Sequence, residues 1–206
     1  MNTTNNGVSD QFFDDGTDPR PYVSPDRARV GIVPVPLEKT VSYLTGTGAA
    51  PDAILEASRQ VELFDPEFGD SPFRAGIFTW PAVDCSGGID GILSLIEDRV
   101  GALAASGRTP VCLGGEHTVT LAPVTVLRKQ YPGLSILHLD AHADLRKSYG
   151  GSRFSHASVM RRIHELSIPS VSVGIRAISE EEAGFITANN LSVYPEWKYA
   201  ESGYPW

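Results

Sequence analysis

The chain has 206 residues, of which 41% are hydrophobic, and a formal net charge of -8. That length suits one domain whose core needs no covalent staples. The acidity argues against a nucleic-acid-binding surface and weakly favours a cationic ligand. No apolar run is long enough to span a bilayer, and Met1 to Asp18 holds neither a basic start nor an apolar stretch, so no membrane partner and a cytoplasmic location are expected.

Residues 1–27 are rich in Asn, Thr, Asp and Pro and read as a flexible lead-in. The rest, 28–206, reads as one α/β domain. Arg29 to Pro34 is the first strand expected, and Val41 to Pro51 is a Gly/Thr-rich loop. The segment Pro51 to Ser58 then starts a helix, with Pro51 in its first turn. Gly46-Thr-Gly48 lacks the third glycine and the leading strand of a dinucleotide fingerprint, so it reads as a loop on the rim of a site. Glu62 to Ala75 looks irregular, and Gly76 to Trp80 is a short strand. Ile89 to Ala105 has helical apolar spacing, with Ile92, Leu95, Ile96, Val100 and Leu103 on one side and Gly107 where a stop belongs.

The rhythm then becomes regular. A buried strand is expected at Pro110 to Leu113, and further strands at Leu134 to Leu139, Ser170 to Val173 and Leu191 to Tyr194. Helices are expected at Thr118 to Gln130, Ser155 to Leu166 and Glu180 to Asn189. Strand and helix in alternation argue for a mostly parallel sheet with helices on both faces. Cys85 and Cys112 form no C-x-x-C pair, and Cys112 reads as a small core residue of its strand. The segment from Ala200 to Trp206 shows no capping or periodic pattern.

Three segments carry the chemistry: Leu113-Gly-Gly-Glu-His-Thr118, His138-Leu-Asp-Ala-His-Ala-Asp144 and Phe154-Ser-His-Ala-Ser158. In an open α/β sheet, ligands gather outside the carboxyl ends of the strands. His117 lies just past one such end, and Asp140, His142 and Asp144 lie at and past the next. Ile136, His138, Asp140 and His142 share one strand parity. Two carboxylates and two imidazoles gathered there call for a cation between them, and the absence of thiolate suits manganese, iron or zinc. His138 alone reads as a structural residue or as a group that orients a carboxylate.

Gly114-Gly-Glu-His117 and Asp140-Ala-His-Ala-Asp144 resemble the two early signatures of the ureohydrolases, the family of arginase, agmatinase and formimidoylglutamase. Phe154 to Arg162 and Val173 to Glu181 resemble the agmatinase-type members, and the likeness runs from about Val30 to the C-terminus. The resemblance implies a three-layer α/β/α fold and two manganese ions. His117 would bind one ion and His142 the other, Asp140 would bridge both, and Asp144 would join the ion of His117. Glu116 would support the site without binding metal, and His156 would be the proton-carrying catalytic residue. The implied reaction is hydrolysis of a guanidino C–N bond, most simply agmatine to putrescine and urea, with His156 protonating the leaving amine. Arginine, guanidinobutyrate and formiminoglutamate are the alternative substrates, and a homo-oligomer is the implied full-length form.

The sequence departs from the family in one respect. Complete members carry a later strand with paired aspartates, and nothing after Arg176 matches it. The fold is therefore expected to be incomplete at the C-terminus. Glu180, Glu181 and Glu182 read as charges at a helix start, not as replacement ligands. Counting donors predicts one weakly held metal and little turnover, or a catalytically impaired fragment that acts as a binding partner. Arg161 and Arg162 read as an ion-paired or solvated face, and Arg176 as a residue that helps to shape the site or, equally, as a structural one.

Overall fold

A computed structural model describes residues 11–13, 24–199 and 203. The expected lead-in and tail fall mostly outside these residues. The chain divides into two compact units, Met1–Pro123 and Val124–Trp206, and the division falls inside helix α3 (Leu121–Gln130).

The first unit holds a three-stranded sheet in the order β2-β1-β3, formed by β1 (Val30–Val35), β2 (Ile77–Thr79) and β3 (Thr109–Gly114). Both pairings are parallel, and β1 registers Val30 on Thr109 and Val35 on Gly114. A proline in a central strand would normally cost a ladder hydrogen bond. Pro34 escapes this because β2 pairs only as far as Ile32, and the Pro34 carbonyl accepts from Val83 N–H beyond the end of β2. Ile32, Val33, Val35 and Leu37 are buried, each contributing about 2 kcal/mol by leaving water.

Helix α1 (Ala50–Ser58) follows the rim loop, and α2 (Ile89–Ala105) packs on β1 and β3. Leu103 of α2 lies so close to Gly31 that a side chain at that position would collide with it. The helix stops as expected: Gly107 takes φ 78°, its N–H bonds to the Ala104 carbonyl, and Arg108 N–H bonds to Leu103. One expected core position is corrected. Leu95 is 48% exposed, and Leu93 is buried instead. At 100° per residue the buried set Ile92, Leu93, Ile96, Val100, Leu103 and Ala104 forms one stripe, and Leu95 lies well to the side of it.

The second unit has its own parallel sheet, in the order β4-β5-β6, from β4 (Ile136–Leu139), β5 (Ser170–Ile175) and β6 (Ser192–Pro195). Helix α4 (Val159–Glu165) buries Val159, Met160 and Ile163, and α5 (Glu180–Asn189) joins β5 to β6. A single turn, α6 (Glu196–Tyr199), follows where no helix is expected from sequence. Among the described residues β4 pairs with β5 alone. Its alternation is sharp: Leu137 is 65% and Leu139 70% exposed, while His138 between them is buried. No helix among the described residues is long and apolar enough to cross a membrane.

Cys112 is half-buried in β3 and is not the core residue expected, and Cys85 is half-buried too. Burial pushes the Cys112 thiol up to about 11, and burial followed by the nearby Asp84 charge raises that of Cys85. Because the thiolate is the reactive form, alkylation of Cys112 in the folded protein at pH 8 should run roughly 100-fold slower than for an ordinary thiol. The rate should climb only as the pH approaches the raised value. Labelling at the rate of free cysteine would contradict the burial of this side chain.

Candidate metal centre

β4 delivers the donors of the second unit. Beyond Leu139 the chain leaves the ladder but stays tied to the segment after β5. Asp140 N–H bonds to the Val173 carbonyl at 3.2 Å, and the Ala141 carbonyl accepts from Arg176 N–H at 2.8 Å and Ala177 N–H at 2.9 Å. A bulge between Val173 and Ile175 makes room for this, with Gly174 at φ 83° against the Asp140 carbonyl. Asp140 closes its own turn, its Oδ1 accepting from His142 N–H at 2.8 Å. Asp144 then takes a left-handed conformation, φ 51°.

These turns bring three side chains together. A ring nitrogen of His138 and carboxylate oxygens of Asp140 and Asp144 lie within 4.8 Å of one another. His138 and Asp144 are buried. The His138 ring is oriented at Nδ1 by Ser172 Oγ on the neighbouring strand, 3.0 Å away, and its Nε2 stands 3.5 Å from Asp140 Oδ2. Two carboxylates this close in partly dry surroundings repel unless a positive charge lies between them. The donors are one imidazole and two carboxylates with no thiolate, a set that fits a hard or borderline divalent cation.

Among the sequence-derived candidates, the structure brings His138 into this group through the strand parity it shares with Asp140. His142 sits further out: its ring is 66% exposed, with Nδ1 3.6 Å from Asp140 Oδ1. His156 opens the 3₁₀ turn His156–Ser158 ahead of α4, its ring edge-on to Tyr149 at 5.2 Å between centroids. Arg161 and Arg162 are ion-paired with Glu165, at 3.6 and 2.9 Å, and burial lowers the Arg162 pKa. Arg161 also lies over the Phe185 ring. Arg176 donates to the Gly174 carbonyl at 3.3 Å. Ser172 was not singled out from sequence, because a serine inside a strand carries no local sign of the imidazole opposite it.

In the first unit, β3 ends at Gly114, and the 3₁₀ turn His117–Thr120 follows. Gly115 must be glycine, since a Cβ there would run into the Leu37 carbonyl. Glu116 is buried and fully engaged. Its Oε2 accepts from Lys39 N–H (2.9 Å) and Thr40 N–H (2.7 Å), and its Oε1 from Thr40 Oγ1 and Thr118 Oγ1 (both 2.8 Å). Glu38 ties the far end of the same loop through Gly48 and Gly46 N–H, bonds that hold its carboxyl below the usual range. Glu116 thus anchors the rim loop directly before His117.

Similarity to known proteins runs along most of the chain. The sequence profile of the Arginase family matches residues 28–205. A protein of Synechocystis sp. named N(1)-aminopropylagmatine ureohydrolase is 37% identical over 174 residues, covering 81% of this chain and 57% of that one. An agmatinase of Bacillus subtilis is 34% identical over 166 residues, covering 77% and 56%. The solved agmatine ureohydrolase of Thermoplasma volcanium superposes with a TM-score of 0.80 at 28% identity, covering 89% of this chain and 62% of that one. The chain therefore spans between 56% and 62% of the length of these three relatives. With the family profile matching nearly all of it, and a mixed α/β fold of parallel sheets shared with these structures, the chain belongs to the arginase family.

Proposed function

We propose that this chain carries metal ligands of a ureohydrolase that cleaves a guanidino C–N bond, with agmatine or its N-aminopropyl derivative as substrate and Mn²⁺ as the cofactor. The observation that carries this reading is the convergence of His138, Asp140 and Asp144 within 4.8 Å. Family membership supports it, and so do the names of the two relatives above 30% identity. His142 is proposed as a further ligand on the exposed side of Asp140. His117 is proposed as another on the strength of the family pattern Gly-Gly-Glu-His alone. When bound, the metal would supply a Lewis acid and an activated water.

The chain's own residues have the remaining tasks. Asp140 and Asp144 fix the position of the positive charge, and Ser172 fixes the ring of His138 beside them as the imidazole donor. Water adds to the guanidinium carbon, the C–N bond breaks, and the departing amine must gain a proton. His156 is the proposed donor of that proton. The net charge of -8 favours a cationic substrate.

Urea release would be followed with Mn²⁺ present, using agmatine, N1-aminopropylagmatine, arginine and 4-guanidinobutyrate. Release is expected from the first two and not from arginine, at the low turnover that the donor count predicts. His156→Asn should lower kcat about 100-fold or more while leaving Mn²⁺ affinity unchanged. Urea from arginine alone would overturn the substrate assignment, and unaltered kcat in His156→Asn would remove that residue from the reaction.

A further inference from the structure

The loop that presents Asp140 and Asp144 is held by a residue that is not part of the metal-binding pattern. We propose that Glu182 is a positioning residue that fixes the orientation of Asp144 through the Asp144–Leu145 peptide bond. This rests on the metal-centre reading for its consequence, though not for its geometry.

Asp144 is one of the few non-glycine residues with positive φ, and a left-handed backbone is unfavourable unless its surroundings enforce it. Here both polar groups of the following peptide are held. The Asp144 carbonyl accepts from Arg161 N–H at 3.2 Å, and Leu145 N–H donates to Glu182 Oε1 at 2.9 Å. The plane of that peptide defines ψ of Asp144, and ψ with φ sets the direction of its Cα–Cβ bond, the base from which the side-chain torsions place the carboxylate. Leu145 and Glu182 are buried, so water cannot readily replace the carboxylate as acceptor.

Glu182 is itself rigid. Its Oε2 accepts from Ser179 N–H at 2.8 Å and Ser179 Oγ at 2.7 Å, and Ser179 Oγ accepts from Glu182 N–H in return. This is a capping box at the start of α5. An ordinary capping glutamate spends its carboxylate on the helix end. Glu182 uses one oxygen there and sends the other 37 residues back along the chain to the metal loop. Glu181 repeats the contact more weakly, its Oε1 accepting from Lys147 N–H at 3.1 Å at the exposed edge of the same loop.

The test uses the full chain with Glu182→Met, Glu182→Gln and Ser179→Ala. Met keeps the volume and the helix preference of the side chain but offers no carboxylate. Gln keeps one oxygen that can accept from Leu145. Ser179→Ala weakens the cap and leaves the contact to Leu145. Hydrogen exchange at the Leu145 amide is read first on metal-free protein, and Mn²⁺ affinity second. Leu145 should exchange at least about 10-fold faster in Glu182→Met, and Mn²⁺ should bind about 10- to 100-fold more weakly. Both readouts should return to near wild type in Glu182→Gln and stay there in Ser179→Ala, whose melting temperature alone should fall.

Rapid exchange of the Leu145 amide in the wild type would overturn the proposal without any variant. So would a loss in Ser179→Ala as large as that in Glu182→Met, which would trace the effect to the cap. If the wild type takes up no Mn²⁺, the metal reading fails, and the exchange data still decide whether Glu182 holds the loop.

Discussion

Asp140→Asn is expected to weaken Mn²⁺ binding by roughly 100- to 1,000-fold, and at the same time to make the metal-free protein melt a few degrees higher. Both effects come from one charge. The carboxylates of Asp140 and Asp144 approach within 4.8 Å, where two like charges repel by about 3 kcal/mol at an effective dielectric constant of about 20. Without metal, part of that repulsion opposes folding. With a divalent ion between them, the same two charges would be the main source of affinity. Asparagine preserves the local geometry, because its amide oxygen can still accept from His142 N–H and close the turn. Calorimetric titration with Mn²⁺ and thermal melts with and without the ion would read both effects. The wild type should gain more from the ion than the variant, so the order of the two melting temperatures should reverse on adding Mn²⁺. Undiminished Mn²⁺ affinity in Asp140→Asn would end the case for a metal centre at this strand tip. The wild-type titration also tests the donor count, since a few protein donors predict one weak site.

Several elements could be read from local signals because those signals are local in origin. Helices α2 and α5 begin and end where expected: α2 carries a continuous apolar stripe with a left-handed glycine behind it, and α5 opens with Ser179 as its cap. Strands β3 and β4 sit within two residues of their expected bounds for the same kind of reason, a short apolar run between turn residues. The expected helices from Thr118 and Ser155 both begin as 3₁₀ turns, at His117–Thr120 and His156–Ser158. Such tightening leaves no legible mark in apolar spacing, since a 3₁₀ segment of three or four residues is too short to show its own period.

The site was legible only where residue type alone limits the chemistry. Asp140 and Asp144 stand two residues either side of His142, and acidic groups at a strand end have few bland roles. Which histidine faces them was not readable, because that depends on Ser172 from another strand and on the turn that swings His142 outward. Glu182 shows the limit most clearly. Ser179 and Glu182 have the spacing of a capping box, and by pattern the glutamates are helix-end charges. The second oxygen of Glu182 reaches Leu145, a contact fixed by tertiary packing that no pattern within α5 encodes.

Glu116→Ala should be among the most destabilising single changes in the first unit, costing about 3 kcal/mol. Its buried carboxylate accepts four hydrogen bonds, two of them from the backbone of Lys39 and Thr40. Bonds to a charged acceptor are worth about 1.5–3 kcal/mol each when removed singly, but the rim loop is partly exposed and water would recover much of the loss at Lys39 and Thr40. Thr118 is fully buried and would have no such recourse. For a chain of this size, 3 kcal/mol corresponds to a melting temperature lower by about 6–12 °C. The effect should be local in origin, so exchange at the Lys39 and Thr40 amides should rise far more than exchange in β1, where Val33 and Val35 stay buried. Asp at this position is the sharper probe. It keeps the charge but is one methylene shorter, so it can reach Thr118 or the Lys39–Thr40 backbone and not all four donors. Glu116→Asp should therefore fall between wild type and Glu116→Ala, with the rim loop loosened and the turn at His117 intact. A melting temperature for Glu116→Ala within a degree of wild type would mean that the loop is held by Glu38 and Gly115 instead, and that the carboxylate before His117 has no part in ordering it.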